Sequence, residues 1–223
     1  MKTFALAAAC AALTVRSPAA EELLTFKTTD GRAFHGVKLG SKDPAGIRVI
    51  TTKEPGRNPS DKGLDRVLRE AVRRDFPVNI LCWGNLERGT ALIDRHPDTR
   101  FIIDHLGIQQ PRTPPAPAQP WADLPKVLEL ARRKNAVIKV SGACTLSKEP
   151  YPFPDIWDPL AKVFDAWGFE RCLWGTDWTR AFAVVNYEQA VEPFRKTDRL
   201  SDSERAMLMG GACAKAYRWS PKK

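Results

Sequence analysis

Several specialised protein classes are excluded by what this chain lacks. Its five cysteines, Cys10, Cys82, Cys144, Cys172 and Cys213, are odd in number, far apart and without a C-x-x-C pair. That spacing rules out a disulfide framework and a zinc knuckle, and it reads as small buried hydrophobes in a reducing compartment. The apolar N-terminal stretch "MKTFALAAACAALTV" falls short of the roughly 20 residues needed to span a bilayer. Lys and Arg outnumber Asp and Glu by 35 to 26, a net charge of +9, yet the two signs are interleaved, as in "DKGLDRVLREAVRRDF". No basic stripe with aromatics is present, so nucleic acid is not an expected partner, and the surplus is a field favouring anionic small molecules. There is no internal repeat and no sign of a second domain.

What is present is one sizeable core: 223 residues, 43% hydrophobic and 9% aromatic. Residues 1–22 stand apart as an apolar segment ahead of a domain spanning 23–219. Two readings of that segment stay open. It is a signal peptide with Ser17 and Ala19 at the small-residue positions before a cleavage point, which implies export, or an Ala-rich helix of a cytoplasmic protein. The stretch "LLTFKTTDGRAFHGVKLG" holds Asp30-Gly31 between two alternating runs, which predicts a hairpin over residues 25–40.

From residue 46 the pattern alternates between periods of two and 3.6. "GIRVIT", "PVNILCW", "RFIID", "AVIKVSG" and "RCLWG" read as strands. Between them lie helical stretches: "DKGLDRVLREAVRRDF", with Leu64, Val67, Leu68, Ala71 and Val72 on one face; "LERGTALIDRH"; "LPKVLELARRK"; and "DIWDPLAKVFDAWG", with Ile156, Leu160, Val163, Phe164 and Trp167. That rhythm implies a parallel sheet. "YEQAVEPFRK" predicts a further helix, and Ser201 with Glu204 forms a capping box for another. "PRTPPAPAQP" cannot pair inside a sheet and is expected as a loop over the strand ends.

Polar residues follow three of these apolar runs: Asp104 and His105 in "RFIIDHLGIQQP", Lys139 and Ser141 in "VIKVSG", and Asp177 in "LWGTDW". In a parallel sheet all C-terminal strand ends share one rim, so His105 and Asp177 are expected to meet there. An imidazole beside a carboxylate in a partly dry rim suits metal binding or the activation of water. One such residue is commonly a cap on its own strand; three successive strand ends point to a site. Trp83 and Trp178, at neighbouring strand ends, would wall the pocket, and Lys139 would bind substrate or support those that do.

The ordered motifs "FIIDHLG", "WADLPKVLELARRKNAVIKVSG" and "WGFERCLWGTDWTR", with the closing "LSDSERAMLMGGACAKAYRW", resemble the amidohydrolase-related family of TIM-barrel metal-dependent hydrolases over residues 46–219. The resemblance implies an α/β fold of (β/α)8 type, His105 and Asp177 in the active site with Asp177 acting on the hydrolytic water, and Arg48 facing the substrate as a carboxylate clamp. It implies a hydrolase of a lactone, ester or C–N bond in a small, carboxylated substrate. A decarboxylase and an inactive remnant with a binding role are the alternatives. The family's first strand ends in a His-x-His metal pair. Here His35, His96 and His105 are never two apart, so two barrel strands are read as missing or replaced by the hairpin. A divalent metal, zinc or manganese, held by His105 and Asp177 and a metal-free site are both left open, as is a homo-oligomer. His35 is a stand-in ligand or a structural residue, and His96 is expected on the surface at a helix end.

Overall fold

The computed structural model describes residues 25–27, 33–36, 47–50 and 58–218, and in the first three segments the side chains of Arg48 and Val49 alone. The apolar segment 1–22 and the Asp30-Gly31 turn lie outside the described residues. Strands β1 (Thr25–Lys27) and β2 (Ala33–Gly36) pair antiparallel, with Phe26 opposite Phe34, so the expected hairpin forms. It joins the sheet rather than standing off it, because β2 pairs antiparallel with β3 (Ile47–Ile50).

The alternation then runs α1 (Lys62–Arg73), β4 (Val78–Leu81), α2 (Leu86–Arg95), β5 (Phe101–Ile103), α3 (Leu124–Leu130), β6 (Ala136–Ser141), α4 (Trp157–Trp167) and β7 (Cys172–Gly175). Strands β3 to β7 are all parallel, in the spatial order of the chain. Each helix follows from local chemistry. Asp61 caps α1 by accepting from the Gly63 and Leu64 amides at 2.7 and 3.1 Å, and Leu64, Leu68 and Ala71 bury one face. Val72, expected on that face, is 42% exposed; one step past Ala71 turns it about 100° around the axis. Helix α3 stops short of "ARRK" because Ala131, Arg132 and Arg133 donate three residues back, tightening the last turn.

Alternate strand residues face two different neighbours. Val49, Val78, Ile80, Phe101, Ile103, Ala136, Ile138 and Cys172 join the main core with the buried faces of α1 to α4, including Ile156, Leu160, Val163, Phe164 and Trp167. On the opposite face Ile102 and Leu173 pack with Val137 against Met207, Ala212, Ala216 and Tyr217. Those last residues belong to a C-terminal helical run that follows α5 (Trp178–Ala181) and α6 (Tyr187–Lys196). It is made of α7 (Asp202–Ala206), opened by the Ser201–Glu204 capping box, a π turn (Met207–Gly211) and α8 (Ala212–Tyr217). In a closed barrel that inner face is filled by strand side chains alone; here a helix lies on it.

Cys82, Cys144 and Cys172 are buried and free, and burial pushes their thiols up to about 12, so they are inert. Cys213 departs from the buried expectation: it is exposed on α8. Cys10 lies outside the described residues. Among those residues no helix is long and apolar enough to cross a membrane. Leu160 is fully buried between α4 and the sheet. Leu160→Ala is expected to cost about 2–5 kcal/mol, read as a lower urea midpoint with unchanged slope.

Candidate active site

The C-terminal ends of β5, β6 and β7 leave their strands by abrupt turns. After β5 the chain passes through three left-handed residues, His105 (φ 53°), Leu106 (φ 60°) and Gly107 (φ 66°). Gly142 (φ 68°) follows β6 and Asp177 (φ 51°) follows β7. Left-handed backbone at non-glycine residues is disfavoured and clusters where side chains must be aimed. At this rim it aims His105 and Asp177 at each other. Asp177 Oδ2 lies 3.3 Å from His105 Nδ1, and that nitrogen also lies 2.9 Å from Ser141 Oγ.

A second ring of contacts fixes Asp177 from the other side. Arg180 donates from Nε to Asp177 Oδ2 at 2.5 Å, from Nη1 to the Pro111 carbonyl at 2.6 Å and from Nη2 to Gln110 Oε1 at 2.5 Å. Gln110 in turn donates to the carbonyls of His105 and Ser141 at 3.3 and 2.9 Å. The start of the Pro-rich loop is thereby tied to the rim it was expected to cross. Trp83 completes this wall: its ring centroid is 5.4 Å from that of His105, and the Arg180 guanidinium lies over it at 5.6 Å.

One layer deeper, Asp104 has no exposure to solvent, and it is paired with Arg48 Nε at 3.0 Å and Lys139 Nζ at 2.9 Å. Burial draws the Lys139 ammonium down, but Asp104 and Tyr217 outweigh it and hold it above the ordinary 10.5. Tyr217, from α8, lies beneath the Lys139 ammonium, 5.9 Å from ring centroid to Nζ, and donates to Asn79 Oδ1 at 2.8 Å.

The structure therefore gathers His105, Asp177 and Trp83 at one point, with Lys139 just below. It commits Arg48 to Asp104 as well, a contact the carboxylate-clamp expectation did not include. Trp178 heads α5 but is 44% exposed, with its ring set edge-on against Tyr187 at 6.3 Å. His96 ends α2 as expected; rather than sitting free at the surface, its ring is largely covered and lies 3.1 Å from Asp65 Oδ1. The side chain of His35 lies outside the described residues. Arg180 and Gln110 were not foreseen. The first had a signal, a cation three residues after Asp177 on a helix; the second had none.

Among the described residues no three His, Cys, Asp or Glu side chains converge as a metal-ligand set. His105 and Asp177 offer two donors, and a guanidinium already lies on Asp177 Oδ2. These residues do not fit a divalent ion.

Burial pushes the His105 imidazole below its ordinary 6.5, against the pull of the Asp177 and Asp104 carboxylates and with help from Arg180 and Lys139. The folded chain thus binds fewer protons here than the unfolded chain at pH values between its folded value and 6.5. The stability from this ring is complete above 6.5 and lost as pH falls through the folded value. Across roughly pH 8 to 5, the urea midpoint of the wild type should fall more steeply than that of His105→Gln; parallel curves would mean that the ring titrates alike in both states.

Comparison with known proteins places this geometry. The amidohydrolase family (Amidohydro_2) matches residues 30–219. The chain is 27% identical to a 4-sulfomuconolactone hydrolase of Hydrogenophaga intermedia over 63% of its own length and 45% of the relative's. It is 25% identical to an L-fucono-1,5-lactonase of Burkholderia multivorans over 84% of its own length and 64% of the relative's. It thus spans between about half and two-thirds of these curated relatives. A crystal structure of an amidohydrolase from Burkholderia multivorans with bound zinc superposes with a TM-score of 0.66 at 24% identity, covering 78% of this chain and 64% of the other. An α/β chain with five parallel strands, its polar residues gathered on one rim, and a family match across 30–219 belongs to the amidohydrolase family.

Proposed function

We propose that this chain, as a unit over residues 23–219, is a hydrolase that opens a lactone or ester C–O bond, or a related C–N bond, in a small anionic substrate. The observation that carries the reading is the contact between His105 and Asp177 at the shared strand rim. Both contacts of Asp177 fall on Oδ2, so Oδ1 is the oxygen assigned to take a proton from water. The resulting hydroxide adds to the carbonyl carbon, the ring C–O bond breaks, and the departing alkoxide recovers the proton. His105, neutral at pH 7 because burial depresses it, polarises the carbonyl. Three cations, Arg48, Lys139 and Arg180, face two carboxylates, Asp104 and Asp177. The excess positive charge supports an anionic substrate, as does the relative named for a sulfomuconolactone. Arg48 and Lys139 are assigned to the substrate carboxylate, in competition with Asp104, and Trp83 to the wall.

A second assignment within the same reaction rests on the ring atom involved. Nδ1 is the nitrogen facing Asp177, the arrangement in which a carboxylate orients an imidazole to act as base through Nε2. Asp177→Asn decides whether the pair matters at all. Turnover of a carboxylated lactone is expected to fall by about 10²–10⁴ while the urea midpoint stays near wild type. Unchanged turnover in the folded variant would end the role assigned to Asp177 in the reaction. If His105→Gln loses as much as Asp177→Asn, the imidazole is the base; if it loses clearly less, Asp177 is.

A further inference from the structure

The family contains a relative crystallised with zinc, yet the donor set here stops at His105 and Asp177 among the described residues. We propose that the Arg180 guanidinium is the resident cation of this site, holding Asp177 beside His105 where a divalent ion would otherwise have to bind. The kinetic consequences rest on the hydrolase reading above; the binding consequences do not.

The geometry is that of a built-in position. Arg180 has a side chain only 9% exposed. All three of its nitrogens are used, on Asp177 Oδ2, the Pro111 carbonyl and Gln110 Oε1, and its face is covered by Trp83. An ion shared by His105 and Asp177 would sit about 2.0–2.2 Å from each donor. Arg180 already places a positive charge 2.5 Å from that carboxylate oxygen, so a second cation would meet repulsion as well as a shortage of ligands. The other two cations, Arg48 and Lys139, lie on Asp104 rather than on Asp177.

The backbone leaves room for this arrangement at one residue. A Cβ on Gly142 would stand 2.3 Å from Gln110 Oε1 and 2.6 Å from Arg180 Nη2, and the φ of +68° there disfavours any other residue. Glycine at 142 thus admits the guanidinium–amide pair to the rim. Arg180 is a positioning residue: it acts through Asp177, fixing which oxygen is occupied and where the carboxylate points.

The test uses the full chain. Zinc chloride is titrated calorimetrically into chelator-treated wild type and Asp177→Asn, and the two titrations are expected to coincide. Zinc uptake that Asp177→Asn abolishes would overturn the proposal, whether or not the protein turns over any substrate. With a neutral lactone, Arg180→Ala is expected to lose about 10²-fold in kcat with little change in KM, as a misplaced group does. Guanidinium chloride at millimolar concentration should restore kcat, and zinc should not. A folded Arg180→Ala with wild-type kcat, or one repaired by zinc and not by guanidinium, overturns it. Should Arg180→Ala fail to fold by urea titration, Arg180→Lys takes its place. It keeps the charge on Asp177 and is expected to retain kcat better than Arg180→Gln, and equal losses in the two would also overturn the proposal. A wild type without lactone turnover sinks the hydrolase reading and leaves the zinc comparison to decide this one.

Discussion

The buried carboxylate of Asp104 is the constraint from which the site follows. An ionised carboxylate removed from water costs several kcal/mol unless it is paired. This one has no exposure and draws Arg48 from β3 and Lys139 from β6 to its two oxygens. Three strands are thereby tied at one depth, with β4 between two of them. Both ion pairs fall within hydrogen-bonding distance. With Asp104 held at the end of β5, the chain has one residue in which to reverse, and the left-handed His105 that follows is delivered to the rim.

That delivery explains why an apolar run ends in "DH". The two residues do different work a single position apart. Asp104 points into the sheet and is satisfied there, whereas His105 turns upward to Asp177 and Ser141. The strain of left-handed backbone at His105 and Asp177 is offset by contacts that hold both ends, through Gln110 to the His105 carbonyl and through Arg180 to the Asp177 carboxylate. Removing either support would leave a disfavoured conformation with less to maintain it.

Much of this was legible in the sequence, for reasons that can be stated. Hydrophobic period is a local property, so five strands, four connecting helices and the Ser201 cap could be placed, and the shared rim of a parallel sheet then brought His105 and Asp177 together across 72 positions of chain. The hairpin was legible from Asp30-Gly31 between alternating runs, but its attachment to β3 was not, since edge pairing leaves no mark on composition. The family resemblance makes Arg48 a substrate clamp, and its pairing with Asp104 appears only once the depth of Asp104 is known. His96 reads as an exposed helix end until Asp65, on a different helix, is seen beside it. Gln110 lies in a loop whose path no periodicity records. The helix on the inner face was the least legible element: "LSDSERAMLMGGACAKAYRW" says where a helix starts, not which side of the sheet it covers.

That last element bears on the site's electrostatics. By packing Met207, Ala212 and Tyr217 on Ile102 and Leu173, the C-terminal run covers part of the inner face and sets Tyr217 under the Lys139 ammonium. Removal from water strengthens charge interactions. Lys139 accordingly stays protonated despite its burial, because Asp104 and Tyr217 outweigh the loss of solvent, whereas His105, with cations on one side and carboxylates on the other, is dominated by burial and kept neutral. One low-dielectric pocket thus sets two protonation states in opposite senses. The fixed positive charges belong to Arg48, Lys139 and Arg180, and the neutral imidazole of His105 lies among them against Asp177.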